Sequence, residues 1–230
     1  PEIAAAWNNN VQALVEGTGM GIPSNNSSDP RHNAIANTEY NAGSGGMISM
    51  WPQALGMAAS FDPGLVKKFG TIAAKEYRAL GITTALSPQI DLGTEPRWNR
   101  INGTFGEDPQ LSADMARAYV DGFQTSTGKD EISSGWGYTS VNAMVKHWPG
   151  GGPGEGGRDA HYAYGKFAVY PANNFQEQMV PFIDGAFKLS GKTKIASAVM
   201  PYYTISFEQD IKNHENVGNG YSKYIITDLL

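Results

Sequence analysis

Ionisable and aromatic residues stand at four strand exits of the sequence, where they could contact a ligand. The first group includes Asp29, whose carboxylate can accept hydrogen bonds from two adjacent hydroxyl groups, although an ordinary Asp-Pro turn explains it equally well. The second group is the segment 95–100, EPRWNR, followed at 106–109 by GEDP. Each of these charged residues, taken alone, could belong to an ordinary ion pair on the surface. The length and unusual composition of the whole segment nevertheless favour a functional role.

The third group is the pair Lys146 and His147, which ends an apolar run. Burying two such side chains is unfavourable unless both reach a polar cavity. Because successive residues of a strand face opposite sides, the strand geometry must break for both to reach the same cavity. Six glycines follow between positions 150 and 157, without the Gly-Lys-Ser/Thr ending of a phosphate-binding loop. This loop therefore indicates close approach of the backbone to another group rather than nucleotide binding.

A polar segment, 157–162 (GRDAHY), ends the glycine-rich loop. Within it, Asp159 could orient the ring of His161 and raise its basicity, which would make the two an acid/base dyad. An ordinary pair of polar loop residues is an equally good explanation. The fourth group follows the apolar run at 198–201, where Tyr203 could line a pocket.

Composition restricts the classes of protein to which the chain can belong. Its 230 residues are 40% apolar and 17% charged, which predicts an ordered domain with a hydrophobic core. A net charge of −5 gives no electrostatic reason to expect nucleic acid as a partner, and no apolar run approaches the length of a membrane span. The absence of cysteine excludes disulfides and thiolate metal sites. The many glycine and aromatic residues are typical of sites that bind sugars.

Strands and helices alternate along the chain. Asp62-Pro63 and Asp108-Pro109 are helix-start signals, because Asp caps a helix and Pro fits its first turn. We predict helices at 2–15, 62–80, 108–123, 175–189 and from 221, and strands at 82–92, 141–145 and 194–200. This order predicts an α/β fold with a parallel sheet, either doubly wound or a (β/α)8 barrel. The polar residues at the strand ends favour the barrel, of which about four βα units are present in one domain spanning 1–230.

Taken together and in order, these segments resemble the N-terminal domain of family 3 glycoside hydrolases. The motifs that carry the resemblance are Pro-Arg-Trp-x-Arg followed by Gly-Glu-Asp-Pro, and Lys-His-x-x-Gly-Gly. The resemblance implies a (β/α)8-type catalytic domain, usually followed by an α/β sandwich domain that is absent here, and a retaining mechanism. It also implies a set of substrate-binding residues: Asp29, Arg100, Lys146, His147, Arg158, Met200 and Tyr203.

The resemblance leaves the branch of the family open. Asp159 and His161 match an acid/base dyad of β-N-acetylhexosaminidases, whereas the Gly-Gly-Arg-Asp around Arg158 occurs in β-glucosidases. We favour release of terminal β-D-glucosyl units, with the hexosaminidase and a non-catalytic sugar-binding remnant as alternatives. The nucleophile is expected beyond Leu230, so that the rest of the polypeptide or a second chain would complete the site and this chain alone would be inactive. No metal or cofactor is expected, and the expected location is periplasmic or secreted.

Overall fold

The computed structural model describes residues 1–29, 32 and 48–230. Its α-helices are α1 (Glu2–Glu16), α2 (Ala54–Ala58), α3 (Pro63–Ala79), α4 (Pro109–Gln124) and α5 (Phe175–Val180). Its strands are β1 (Ser27–Ser28), β2 (Thr84–Ala85), β3 (Glu131–Ser133), β4 (Trp136–Gly137), β5 (Asn142–Trp148), β6 (Phe167–Ala168), β7 (Ala198–Pro201) and β8 (Ile205–Ser206). None of the helices in these ranges combines the length and the apolar character needed to cross a membrane.

A parallel sheet of four strands, in the order β1-β2-β5-β7, forms the centre of the domain. The spatial order of the strands follows their order in the chain. A doubly wound sheet reverses its strand order at a switch point, whereas the wall of a (β/α)8 barrel adds each strand beside the previous one. The structure therefore confirms the predicted α/β fold with about four βα units. The strands β3 and β4 form a separate antiparallel pair, and β6 and β8 form a separate parallel pair.

Both helix starts predicted from Asp-Pro pairs are present. The side chain of Asp62 accepts hydrogen bonds from the backbone N–H groups of Gly64 and Leu65, at 2.8 and 3.2 Å. Asp108 accepts one from the N–H of Leu111 at 2.7 Å. These bonds satisfy N–H groups that have no partner within the helix, and each cap fixes where the polypeptide enters the helix.

The helices α3 and α4 pack closely together over the sheet. Gly70 and Gly122 lie at their crossing, and a methyl group on Gly122 would come within 2.5 Å of the carbonyl oxygen of Lys67. The ring of Phe69 on α3 contacts that of Tyr119 on α4, with centroids 5.4 Å apart, and both rings are buried. This contact gives the helices a fixed position behind the strands that carry the polar residues.

The predicted elements that differ most from the structure are two helices and one strand. The helix predicted at 175–189 is α-helical only to Val180, and a π-helix, Pro181–Ala186, follows it. Pro181 has no N–H group to donate back along the helix, which explains the change at that point. The strand predicted at 82–92 pairs as β2 only over Thr84–Ala85. The C-terminal helix predicted from 221 is a short π-helix, Tyr224–Asp228.

Candidate functional site

A cavity of about 760 Å³ lies at the carboxyl ends of the four central strands. The residues predicted from sequence that line it are Asp29, Arg100, Lys146, His147, Asp159, His161, Met200 and Tyr203. They come from the ends of β1, β5 and β7 and from the loops that follow β2 and β5. The structure thus brings together eight of the nine predicted site residues, Arg158 being the exception. Pro30 and Arg31, which belong to the first sequence group, lie outside the described residues.

Lys146 and Asp29 form an ion pair inside the cavity, between the ends of β5 and β1. The Lys146 side chain is 7% exposed and that of Asp29 is 34% exposed. The ammonium group can only donate hydrogen bonds and the carboxylate can only accept them. A ligand with neighbouring hydroxyl groups could therefore accept from one side of this pair and donate to the other.

A β-bulge at His147 allows adjacent residues to reach the same cavity. Lys146 pairs with Met200 and Trp148 pairs with Pro201, so that His147 is an extra residue on β5. Both Lys146 and His147 consequently line the cavity, while the Trp148 side chain is fully buried in the core. The break in strand geometry that the sequence required is present at this position.

Asp91, which the sequence analysis did not identify, holds His147 from behind. The fully buried Asp91 carboxylate accepts hydrogen bonds from the backbone N–H and from Nδ1 of His147, at 2.9 and 2.8 Å. It also accepts one from the N–H of Gly151 at 2.6 Å. Burial alone would raise the pKa of Asp91, but its contacts with His147 and Gly151 together hold that pKa below its usual value.

Burial lowers the pKa of His147, and the positive charges of Arg100 and Lys146 act in the same direction, against the attraction of Asp91. Arg100 directs Nη1 at Nε2 of His147, 3.4 Å away, and Nη2 at Oε1 of Gln89, 3.3 Å away. The imidazole is therefore neutral near pH 7 and lies among fixed charges at the base of the cavity.

The lowered pKa of His147 predicts a loss of stability in mild acid. Below about pH 6.5 an unfolded chain binds a proton at this residue more readily than the folded protein, so stability falls as pH falls, by at most about 1.4 kcal/mol per pH unit. The thermal unfolding midpoint, measured from pH 8 to pH 5, should decrease less steeply in H147Q than in the wild type. Burial also lowers the pKa of His32, which leaves part of the slope in the variant. Parallel curves for the two proteins would contradict this prediction.

Asp159 and His161 form a hydrogen-bonded pair at the rim of the cavity. The Asp159 carboxylate lies 2.6 Å from Nδ1 of His161 and accepts a bond from its backbone N–H at 2.9 Å. Burial raises the pKa of Asp159, but these hydrogen bonds outweigh it and keep that pKa below its ordinary value. The ring of Tyr203 meets that of His161 edge to face at 5.3 Å. The geometry of a dyad is therefore present, with the His161 side chain half exposed.

The glycine-rich loop packs directly against the segment that follows β2. A methyl group on Gly151 would lie 3.0 Å from the Asp91 carboxylate, and one on Gly152 would overlap the carbonyl oxygen of Leu92. Gly150 has a φ of +141°, which side chains rarely allow. The first part of the loop thus needs glycine for three reasons: the φ angle at Gly150, the Asp91 carboxylate beside Gly151, and the backbone contact at Gly152.

Two charged residues of the sequence motifs point away from the cavity. Arg158 is exposed and its guanidinium forms an ion pair with Glu155 at 3.3 Å, so the structure gives no support for the predicted contact with a ligand. Arg97 forms a similar exposed pair with Glu95 at 2.7 Å. Trp98 is 2% exposed and packs against Tyr202 behind the cavity. Over the described ranges of the chain, no group of three or more His, Asp or Glu side chains is placed to hold a metal ion.

The fold and the cavity together define a TIM-type α/β domain with a polar ligand site at the strand ends. The family model of the glycosyl hydrolase family 3 N-terminal domain matches residues 10–229. The chain therefore belongs to glycosyl hydrolase family 3, which confirms the resemblance found in the sequence.

The relatives and solved structures agree with this assignment. The chain is 44% identical over its whole length to a periplasmic β-glucosidase/β-xylosidase of Dickeya chrysanthemi, and 44% identical over 98% of its length to β-glucosidase C of Emericella nidulans. It covers 34% of each of these proteins, about a third of their length. The structure of a β-glucosidase from Erythrobacter marinus matches with a TM-score of 0.75 and 27% identity, over 100% of this chain and 26% of that one. A fungal β-N-acetylglucosaminidase, at 20% identity and a TM-score of 0.77 over 100% of this chain and 24% of that one, shows the same fold.

Proposed function

We propose that this chain is the glycone-binding part of a retaining, exo-acting glycoside hydrolase that releases terminal β-D-glucosyl residues. The observation that carries the proposal is the convergence of Asp29, Arg100, Lys146 and His147 in one cavity. These groups offer acceptors and donors at short range, as the binding of a polyhydroxylated ring requires. The names of the relatives at 44% identity support a β-glucoside as the substrate.

A cavity at the strand ends suits exo action. A terminal sugar that enters it would meet Lys146 and Asp29 on one side and His147 on the other, with Met200 and Tyr203 contributing apolar and aromatic surface. Charged groups of opposite sign would hold several hydroxyl groups at once and fix the orientation of the ring. Such fixed orientation is what places the glycosidic bond for attack.

A retaining mechanism needs two carboxyl groups about 5 Å apart, one as nucleophile and one as acid/base. Among the described residues, the carboxylates that line the cavity are those of Asp29 and Asp159. Asp29 is paired with Lys146, and Asp159 with His161. We therefore propose that the nucleophile comes from outside the 230 residues, and that this polypeptide alone does not hydrolyse glycosides. Residues 1–230 would then form one catalytic barrel domain, completed by the rest of the polypeptide or by a second chain, with an α/β sandwich domain following.

The proposal is tested on the complete protein that contains this chain. With a β-1,4-linked glucose oligosaccharide as substrate, we expect glucose to be released from the non-reducing end with retention of the β configuration, followed by proton NMR. Inversion of configuration would contradict the mechanism. Binding of glucose without any hydrolysis would favour a non-catalytic sugar-binding protein.

The proposal includes a carbohydrate substrate as partner, without nucleic acid or membrane. It also includes a periplasmic or secreted location. The name of the periplasmic relative supports that location.

The Asp159–His161 pair favours a second candidate, a β-N-acetylhexosaminidase that uses it as acid/base. Replacing His161 by Gly discriminates between the two. If the enzyme is a β-glucosidase, we expect H161G to retain its rate on glycosides with poor leaving groups within about threefold, because proton donation does not depend on the imidazole. A fall of about a hundredfold or more on these substrates, with little change on activated aryl glycosides, would favour the hexosaminidase.

A further inference from the structure

The fully buried Asp91 does not line the cavity, and yet it contacts a residue that does. One carboxylate oxygen accepts hydrogen bonds from the backbone N–H groups of His147 and Gly151, at 2.9 and 2.6 Å. The other oxygen lies 2.8 Å from Nδ1 of His147. All three of these contacts come from residues far along the chain from Asp91. The carboxylate thus connects the segment after β2 with the end of β5 and with the glycine-rich loop.

The neighbours of His147 specify which ring nitrogen carries the hydrogen. A carboxylate only accepts, so Nδ1 carries the hydrogen and donates it to Asp91. A guanidinium only donates, so Nε2, 3.4 Å from Nη1 of Arg100, presents its lone pair. The two contacts lie on opposite sides of the ring and require the same neutral form. Burial of the ring acts in the same direction, because it disfavours the doubly protonated imidazolium.

We propose that Asp91 is a positioning residue that fixes His147 in the Nδ1-protonated neutral form and so makes Nε2 a hydrogen-bond acceptor in the cavity. This inference rests on the proposed function, in which His147 contacts a hydroxyl group of the terminal sugar. A hydroxyl group that replaces the long contact between Nε2 and Arg100 can accept from Lys146 and donate to His147 at the same time only if Nε2 carries no hydrogen. Asp91 therefore determines which pattern of hydroxyl groups the cavity binds, without touching the ligand itself.

The bond to Gly151 gives Asp91 a second contact with the site. The glycine-rich loop begins directly after β5, and Asp91 holds its third residue after Trp148 against the segment that follows β2. The same carboxylate oxygen accepts from the backbone of His147, so the start of the loop and the imidazole are held at a fixed separation. Loss of the carboxylate charge would weaken both contacts together.

The isosteric substitution D91N tests the inference in the complete protein. The amide oxygen of Asn can still accept the two backbone N–H groups, but its NH₂ group donates towards Nδ1 of His147. The favoured form of the ring then carries its hydrogen on Nε2, directed at Arg100. We expect kcat/KM for a β-glucoside to fall by about tenfold to a hundredfold, mainly through KM, because the hydroxyl group that donated to Nε2 is left without its acceptor. Protein labelled with ¹⁵N in histidine, with the His147 signals assigned from H147Q, should show protonation moved from Nδ1 to Nε2.

The matched control is D121N. Asp121 is another buried carboxylate, and it accepts a hydrogen bond from the backbone N–H of Gly191, away from the cavity. It should change neither the kinetics nor the His147 signals. A wild-type spectrum with the hydrogen on Nε2 would overturn the proposal, even if D91N does not fold. Wild-type protonation retained in a folded D91N, with kinetics equal to those of D121N, would also overturn it. A moved proton with unchanged KM would support the role of Asp91 while removing His147 from the sugar site of the proposed function.

Discussion

Replacement of Lys146 by Met should reduce kcat/KM for a β-glucoside by about a hundredfold or more in the complete protein. The Lys146 side chain is almost completely buried, and its ammonium group forms an ion pair with Asp29 in the cavity. Methionine keeps the length of the side chain but removes every donor. The substitution takes a charge-assisted contact from the ligand and leaves the Asp29 carboxylate without this cation, a combined loss of about 3 kcal/mol. Steady-state kinetics with an aryl β-glucoside measure the effect.

Lys192→Met provides a matched control. Lys192 also forms an ion pair, with Glu131 at 2.8 Å, but its side chain is 66% exposed and lies away from the cavity. Exposed pairs of this kind contribute less than about 1 kcal/mol, so K192M should be kinetically equal to the wild type. If K146M keeps its kcat/KM within about threefold while remaining folded by circular dichroism, Lys146 does not bind the sugar and the proposed function loses its principal support.

The substitution G152A should destabilise the protein by about 3 kcal/mol or more, although it adds only one methyl group. That methyl group would overlap the carbonyl oxygen of Leu92, and two pieces of backbone would have to separate. The movement would also disturb the neighbouring Gly151, whose N–H group donates to Asp91. A loss of 3 kcal/mol lowers the thermal unfolding midpoint of a domain of this size by roughly 6–12 °C.

The same substitution two residues later gives the comparison. Gly154 has a φ of −53°, which any residue can adopt, and a methyl group there would meet the carbonyl oxygens of Arg158 at 3.3 Å and Gly151 at 3.8 Å without overlap. We expect G154A to lower the thermal midpoint by no more than about 3 °C. Equal midpoints for G152A and G154A would show that the loop adjusts freely and that the close approach of Gly152 to Leu92 is not a constraint.

The sequence was sufficient to predict those structural features that depend on residues close together in the chain. The helix starts at Asp62 and Asp108 depend on a side chain that bonds two or three residues ahead, and both are confirmed. The strand ends were identified because polar residues follow apolar runs, and the parallel sheet then brings those ends to one edge. At Pro181 the α-helix ends although the apolar residues keep a helical spacing across it, because proline removes a backbone donor that the spacing does not report.

Asp91 could not be assigned a role in the same way, because its partners are separated from it by 56 and 60 residues. One signal was nevertheless present: a charged residue between Ile90 and Leu92, inside an apolar run. A buried carboxylate is strongly unfavourable unless it is paired, so such a residue implies a partner elsewhere in the chain. The orientation of Arg158 towards Glu155 depends on how the glycine-rich loop turns, which composition alone does not determine.

The glycine-rich loop restricts which residues can be substituted next to the site. Its first half, at Gly150 and Gly152, leaves no room for a side chain, whereas nothing lies within 4 Å of the methyl position of Gly156. Gly157 is again in contact with the backbone of Arg97. At Gly156 a side chain would face the strain of a φ of +65° without a close neighbour, whereas at Gly152 and Gly157 it would also collide with neighbouring backbone. The close backbone contacts at both ends of the loop therefore hold in place the segment that follows His147 and contacts Asp91.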